Sequence, residues 1–298
     1  MTKRVIAIVG PKGGVGKSNI AANLAIALAQ MGRKVTAVDL DLGGANLHII
    51  LGIRDFKVSL DDFVLKNVKN LQDVTIDTGI KNLDVICGGS KIPDIANMPF
   101  QQKIKLISHL LKLESDVIIM DLAAGSSFNV VDFLFIADKG LLVTTPELTS
   151  LMKVYGFIKA SVFRMLTFHF KSENTGELTG LLDKAKDFDA NPQLNTIDSL
   201  LAEADKINPE YVISAKEKLA RFIPNIVINM VKSPREAQVG GVIQNLLKHY
   251  LSIECNIMTA IPDDASVRRS LNLLKPVMLT EPDSEFAKAL RRLAGSCI

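Results

Sequence analysis

Between the apolar run Val5–Val9 and a stretch of strong helix formers stands Lys12-Gly13-Gly14-Val15-Gly16-Lys17-Ser18. Strand, glycine loop and helix in that order make a phosphate cradle. Glycines 13, 14 and 16 let the backbone take positive φ values and come close to an anion, so that a ring of N–H groups can surround it. Lys17 can then reach the β and γ phosphates and Ser18 can offer a hydroxyl to Mg²⁺. The helix that opens there directs its positive dipole end at the same charge. The segment from Gly13 through Gly14, Val15, Gly16, Lys17 and Ser18 to Asn19 is therefore the candidate nucleotide-binding stretch.

Two further segments supply carboxylates. Val35 to Asn46 reads as a second strand carrying Asp39 and Asp41. Residues two apart on an extended chain share a face, so both point at the phosphate end. One is placed for the Mg²⁺ shell, and Asp41 is placed to orient an attacking water. Asp116 to Gly125 reads as an apolar strand ending in Asp121, followed by a small turn.

Short Val- and Ile-rich runs recur at 5–9, 35–39, 83–86, 117–120, 140–144, 225–229 and 256–261, separated by helical patterns. That alternation predicts a parallel sheet covered on both faces, with ligands bound at the carboxyl ends of its strands. The loop at 10–18, Asp39, Asp41 and Asp121 all fall at such ends, so the motifs converge on one site.

The loop departs from the usual pattern in having Pro11 in place of its first glycine and a second lysine, Lys12. In this it resembles the deviant Walker A motif of the MinD/ParA/Mrp class of P-loop ATPases. That resemblance implies a P-loop NTPase fold with a mostly parallel seven- or eight-stranded sheet, ATP/ADP and Mg²⁺ as cofactors, and slow hydrolysis until a partner stimulates it. It implies that Lys12 reaches across an ATP-dependent homodimer to the other subunit's nucleotide. Asp121 looks like Walker B, holding Mg²⁺ through a water, and the Gly125 amide would sense the γ-phosphate. Asn229 and the loop Ile261-Pro262-Asp263-Asp264 fall where the family contacts adenine. Within the class, 41–46, Gly88-Gly89-Ser90, and Pro146-Glu147 before Thr149-Ser150 are most similar to the MinD/FlhG branch, whose members govern the placement, number or recruitment of a cellular structure. That branch usually carries an activating segment before the first strand, which is not seen here and argues against stimulation of a flagellar GTPase.

Other functions remain open at this stage. A ParA-like partitioning ATPase would bind DNA through basic residues such as Lys232 to Arg235 and Arg268-Arg269, although a net charge of +3 does not demand it. A metabolic synthetase would use the same loop to activate a carboxylate with ATP.

The chain's 298 residues, 48% of them hydrophobic, suffice for a single P-loop ATPase domain spanning 1–298. Cys87, Cys255 and Cys297 are scattered and suggest neither a disulfide framework nor a Cys-x-x-Cys metal site, which points to a cytoplasmic location. No signal peptide or membrane span is visible.

Pro146 and Pro224 stand 78 positions apart, whereas a crossover helix with its loops needs about 30. After a helix over about 149–168, the segment near 170–222 shows helical spacing at Leu178, Leu181, Leu182, Ala185 and Phe188. A second series runs Ile197, Leu200, Leu201, Ala204 and Ile207, and a third helix opens at Asn208-Pro209. This helical insertion packs on the body of the domain or offers a surface to an activator or cargo protein. The closing helix 284–294 has Phe286, Leu290 and Leu293 beside Lys288, Arg291 and Arg292, a stripe that fits a core helix or an interfacial membrane helix.

Overall fold

The computed structural model describes residues 3–41, 43–89, 98–172, 176–187 and 190–298. Leu42, Ser90 and Phe188, each part of a motif read above, lie outside the described residues.

Eight strands form one sheet in the order β3-β4-β2-β5-β1-β6-β7-β8. They are β1 (Arg4–Gly10), β2 (Val35–Leu40), β3 (Ile76–Ile80), β4 (Leu83–Ile86), β5 (Val117–Ala124), β6 (Lys139–Thr144), β7 (Asn225–Val231) and β8 (Asn256–Pro262). All neighbours are parallel except β3, which runs antiparallel to β4 at the edge. The seven apolar runs are the seven parallel strands. The hairpin strand β3 was missed because only Ile76, Thr78 and Ile80 face inward and they are half-buried, leaving no continuous apolar run.

Helix α1 (Lys17–Gln30) follows β1 and is buried on nearly every face, as its alanines allow. It ends at Gln30, and Gly32 just beyond, with φ +83°, turns the chain out of it. Short helices α2 (Leu47–Ile50) and α3 (Leu60–Val64) follow β2, and α4 (Phe100–Leu110) precedes β5. In α3, Ser59 caps the first turn and Asp62 accepts the Ser59 amide at 2.9 Å, so Asp serves where Glu is usual. Helix α5 (Phe128–Phe135) joins β5 to β6.

Between β6 and β7 lie α6 (Leu148–Ser172), α7 (Gly176–Lys184), α8 (Ile197–Ile207) and α9 (Pro209–Arg221). Helix α6 is longer than the predicted 149–168. Asn208 caps α9 as its sequence predicts, accepting the Tyr211 amide. The inward stripe residues Leu178, Leu182, Ala185, Ile197, Leu200, Leu201 and Ala204 are buried in the same core as one face of the sheet. The apolar stripes of the insertion therefore close a core.

The chain continues through α10 (Pro234–Ala237), α11 (Val239–Leu251), α12 (Ala265–Leu273), α13 (Val277–Thr280) and α14 (Glu285–Gly295). Helix α14 lies against α1 and β8, with Phe286, Leu290 and Leu293 at most 1% exposed. Its apolar stripe belongs to the second core cluster. This corrects the membrane reading of that helix, because the face a bilayer would receive is already filled by protein. No helix among the described residues is long and apolar enough to cross a membrane. The three cysteines are free and buried, and burial pushes their thiols up, Cys87 to about 12.

Candidate functional site: a phosphate loop among buried carboxylates

The carboxyl ends of β1, β2 and β5 meet where the glycine loop turns into α1. Gly14 and Gly16 have φ of +80° and +92°, conformations an L side chain resists. Gly13 and Gly14 have open space around them, leaving their backbone free to approach a ligand. Gly10 and Gly16 serve a different purpose. A side chain at 10 would strike the stem of Lys17 at 2.9 Å, and one at 16 would strike Asn229 Nδ2 at 2.4 Å. Lys17 thus runs buried across Gly10, at 7% exposure.

Helix α1 begins at this loop with no side-chain cap and no acid in its first turn. The first N–H groups of a 14-residue helix are consequently left to an external anion. Asn229, at the end of β7, donates Nδ2–H to Val15 O at 2.8 Å and is 5% exposed. It locks the loop to the sheet, a role its sequence position alone did not disclose.

Asp39 and Asp121 lie directly opposite each other on paired strands β2 and β5. Both are fully buried. Asp39 accepts the amides of Asp41 at 3.1 Å and Leu47 at 3.0 Å, which ties the loop after β2 to the sheet. Asp121 differs: both its carboxylate oxygens are buried without a hydrogen bond of normal geometry among the described residues. Burial first, and then the Asp39 charge, push Asp121 upward, while Ser18 and Lys17 nearby favour its charged form. Asp39 is raised as well, by burial against the pull of its two amides.

Two adjacent buried carboxylates, one with orphaned oxygens beside a serine hydroxyl, fit a divalent cation. Among the described residues no cluster of three His, Cys, Asp or Glu could hold a metal alone. That matches Mg²⁺, which takes one or two carboxylates, waters and substrate phosphates for its shell. Ser18 and Asp121 would hold it, with Asp39 opposite Asp121 on β2. Bound there, the ion would neutralise phosphate charge.

Asp41, half-buried just past β2, turns its carboxylate toward Gly44, where an added side chain would lie 3.6 Å from it. Asn46, at the N-cap position of α2, makes no side-chain cap to it and donates to Gly44 O at 2.6 Å instead. Gly88 and Gly89 permit close packing behind this loop. A side chain at 88 would meet Ala45 at 2.7 Å and one at 89 would meet Asp61 at 1.8 Å.

Gly125 has φ +97°, and its amide donates to Gly10 O at 3.1 Å, joining the turn after β5 to the loop. Lys12 pairs with Glu147 at 2.9 Å, both side chains being exposed. Sequence reasoning noticed Glu147 only as part of a branch signature; the ion pair with Lys12 spans 135 positions and has no local signal.

Pro262 ends β8 in register with Val231, beside the loop's Asn229 lock. Asp264 caps α12, accepting Ser266 N at 2.8 Å, and also accepts Phe286 N at 3.1 Å. The structure thus uses the Asp264 carboxylate to fasten two helices. Of the basic clusters, Arg269 is paired bidentately with Glu281 and Lys232 lies 3.9 Å from Asp263, which neutralises part of a surface that DNA would need.

A glycine cradle at the carboxyl end of β1, an open helix N-terminus and buried facing aspartates define a nucleotide-binding α/β ATPase. Residues 6–277 match the CobQ/CobB/MinD/ParA nucleotide binding domain, and the chain belongs to that family. It is 36% identical over 294 residues to the antiactivator FleN of Pseudomonas aeruginosa, covering 98% of this chain and 85% of that protein. It is 34% identical over 167 residues to the flagellum site-determining protein YlxH of Helicobacter pylori, an alignment spanning 52% of this chain and 53% of that one. The septum site-determining protein MinD of Pyrococcus horikoshii, solved with Mg-ADP, has the same fold: TM-score 0.66 at 23% identity, covering 99% of this chain and 96% of that one. The seven- or eight-stranded P-loop sheet implied by the resemblance is the one observed. The chain is an ATPase of the MinD/FlhG type.

Proposed function

We propose that this ATPase works as a nucleotide switch: Mg-ATP promotes a face-to-face homodimer, hydrolysis dissolves it, and the dimer recruits or releases a partner that sets the position or number of a cellular structure. Its similarity to YlxH, a flagellum site-determining protein, makes a flagellar structure the first candidate.

The observation that carries the reading is Lys12. Lys17 runs buried across Gly10, while Lys12 is exposed and paired with Glu147. A second lysine has a use there if it serves a nucleotide on another subunit. Exposed apolar side chains lie on the segments next to it: Leu148 and Met152, beginning α6 after Glu147, and Phe128, three residues beyond Gly125, are 73%, 55% and 66% exposed. These suit a surface that is covered in one nucleotide state.

Two groups the switch would use are held within the chain. Lys12 must leave Glu147 to cross the interface, and the Gly125 amide must leave Gly10 O to meet a γ-phosphate. ATP supplies the competing partner for both. Asp41 orients the attacking water, and the two lysines offset charge on the transferred phosphoryl group. Hydrolysis is slow until the partner subunit and an activator complete the site. Lys12→Ala is expected to abolish stimulated hydrolysis while leaving Mg-ATP affinity within a few-fold. Equal loss of both, in a titration run beside the turnover assay, would make Lys12 an ordinary ligand in its own subunit.

A further inference from the structure

On the face of the sheet that the insertion helps to cover lies a cavity. It lies under β1, β6 and β7, between the sheet and helices α5, α6 and α9, with a volume of about 520 Å³. Small-molecule sites fall at about 300–1,000 Å³. Its lining runs from Gly140 and Asn225, at or next to the amino ends of β6 and β7, to Val9 of β1, with none of the loop residues 10–18 among it. The nucleotide machinery described above does not use it.

The cavity is two-sided in chemistry. Its apolar floor is the buried Leu134, Leu142, Phe157 and Ile158, and its accessible apolar wall is Met165, Phe168 and Ile223. Its polar end carries Lys218 and Arg221 from the last turn of α9, with His169 from α6. His169 is 5% exposed and its Nε2 bonds Tyr211 O at 3.1 Å. A carbonyl only accepts, so the proton sits on Nε2. Nδ1 then accepts from Lys218 Nζ at 2.8 Å. One of the three ammonium donors is thereby fixed in place and two remain for a ligand. Arg221 makes no ion pair among the described residues. The acid on the lining, Asp138, is engaged by the Val5 amide at 2.7 Å.

Cations at the end of a helix are expected from its dipole alone. A dipole does not require a buried histidine holding one of them at the mouth of an apolar chamber. We infer that this cavity binds an anionic amphiphile, an apolar chain with a carboxylate head, the chain lying on Met165, Phe168 and Ile223 and the head on Lys218 and Arg221. The inference is independent of the nucleotide switch and gives the insertion a task beyond packing.

Calorimetric titration of the full chain with decanoate, below its micelle concentration, tests it, with decan-1-ol as the uncharged control. One-to-one saturable binding of decanoate is expected. The double variant Lys218→Gln, Arg221→Gln, altered only at exposed side chains, should weaken it by about tenfold. Met165→Trp, which fills the half-open chamber, should abolish it while Mg-ATP binding persists as proof of fold. The proposal is overturned if decanoate shows no saturation, if decan-1-ol binds equally tightly, or if the charge variant binds decanoate unchanged.

Discussion

At the residue scale, the site was legible wherever one side chain has one chemical use. Lys17, Ser18, Asp39 and Asp121 follow from a glycine loop and strand ends, and the fold brings them together. What remained hidden is contact between residues far apart in the chain. Asn229 locking Val15 and Glu147 latching Lys12 depend on strands meeting in three dimensions, and no local spacing encodes that. Gly16→Ala is expected to weaken nucleotide binding by well over tenfold, since its φ is +92° and the new methyl would strike Asn229. Asn229→Ala should cost about tenfold, one hydrogen bond near 1 kcal/mol plus a loosened loop. Fluorescent-nucleotide titration ranks the two, and equal affinity of Asn229→Ala and the parent would remove the lock.

Asp121 gives a pH signature at the same scale. Its folded pKa is raised to about 8, and that of Asp39 to about 6, both above their unfolded value of 3.8. The folded chain therefore binds these protons more tightly than the unfolded one. Stability is greatest when they are protonated and is lost as pH rises through those values. Without metal or nucleotide, melting temperature should climb by a few degrees as pH falls from about 8 toward about 6. Asp121→Asn should flatten that slope and melt higher at the alkaline end, while losing Mg-ATP turnover. A variant with the parent's slope would place the titration elsewhere.

At the element scale, periodicity recovered the parallel strands and the insertion helices because each buries a continuous run or a regular stripe. Strand β3 escaped because an edge hairpin buries alternate residues halfway. The closing helix is a clearer case. Its Phe286, Leu290 and Leu293 stripe reads alike for a bilayer and for a protein core, and only the neighbours α1 and β8 decide between them. Leu290→Ala is expected to destabilise the fold by about 2–5 kcal/mol, the usual range for a fully buried leucine. Denaturant unfolding measures this. A loss below about 1 kcal/mol with vesicle binding impaired would restore the membrane role.

At the scale of the whole molecule, the fold sets loop, carboxylates, latch and exposed apolar side chains around one end of the sheet, and leaves the insertion to close the core beneath. The proposed switch requires that end of the molecule to meet its own copy when ATP is bound. The direct test is the solution mass of Asp41→Ala by light scattering, in Mg-ATP and again in Mg-ADP, since removing water orientation should trap the triphosphate state. A dimer with ATP and a monomer with ADP is the predicted result; one mass in both nucleotides would contradict the switch.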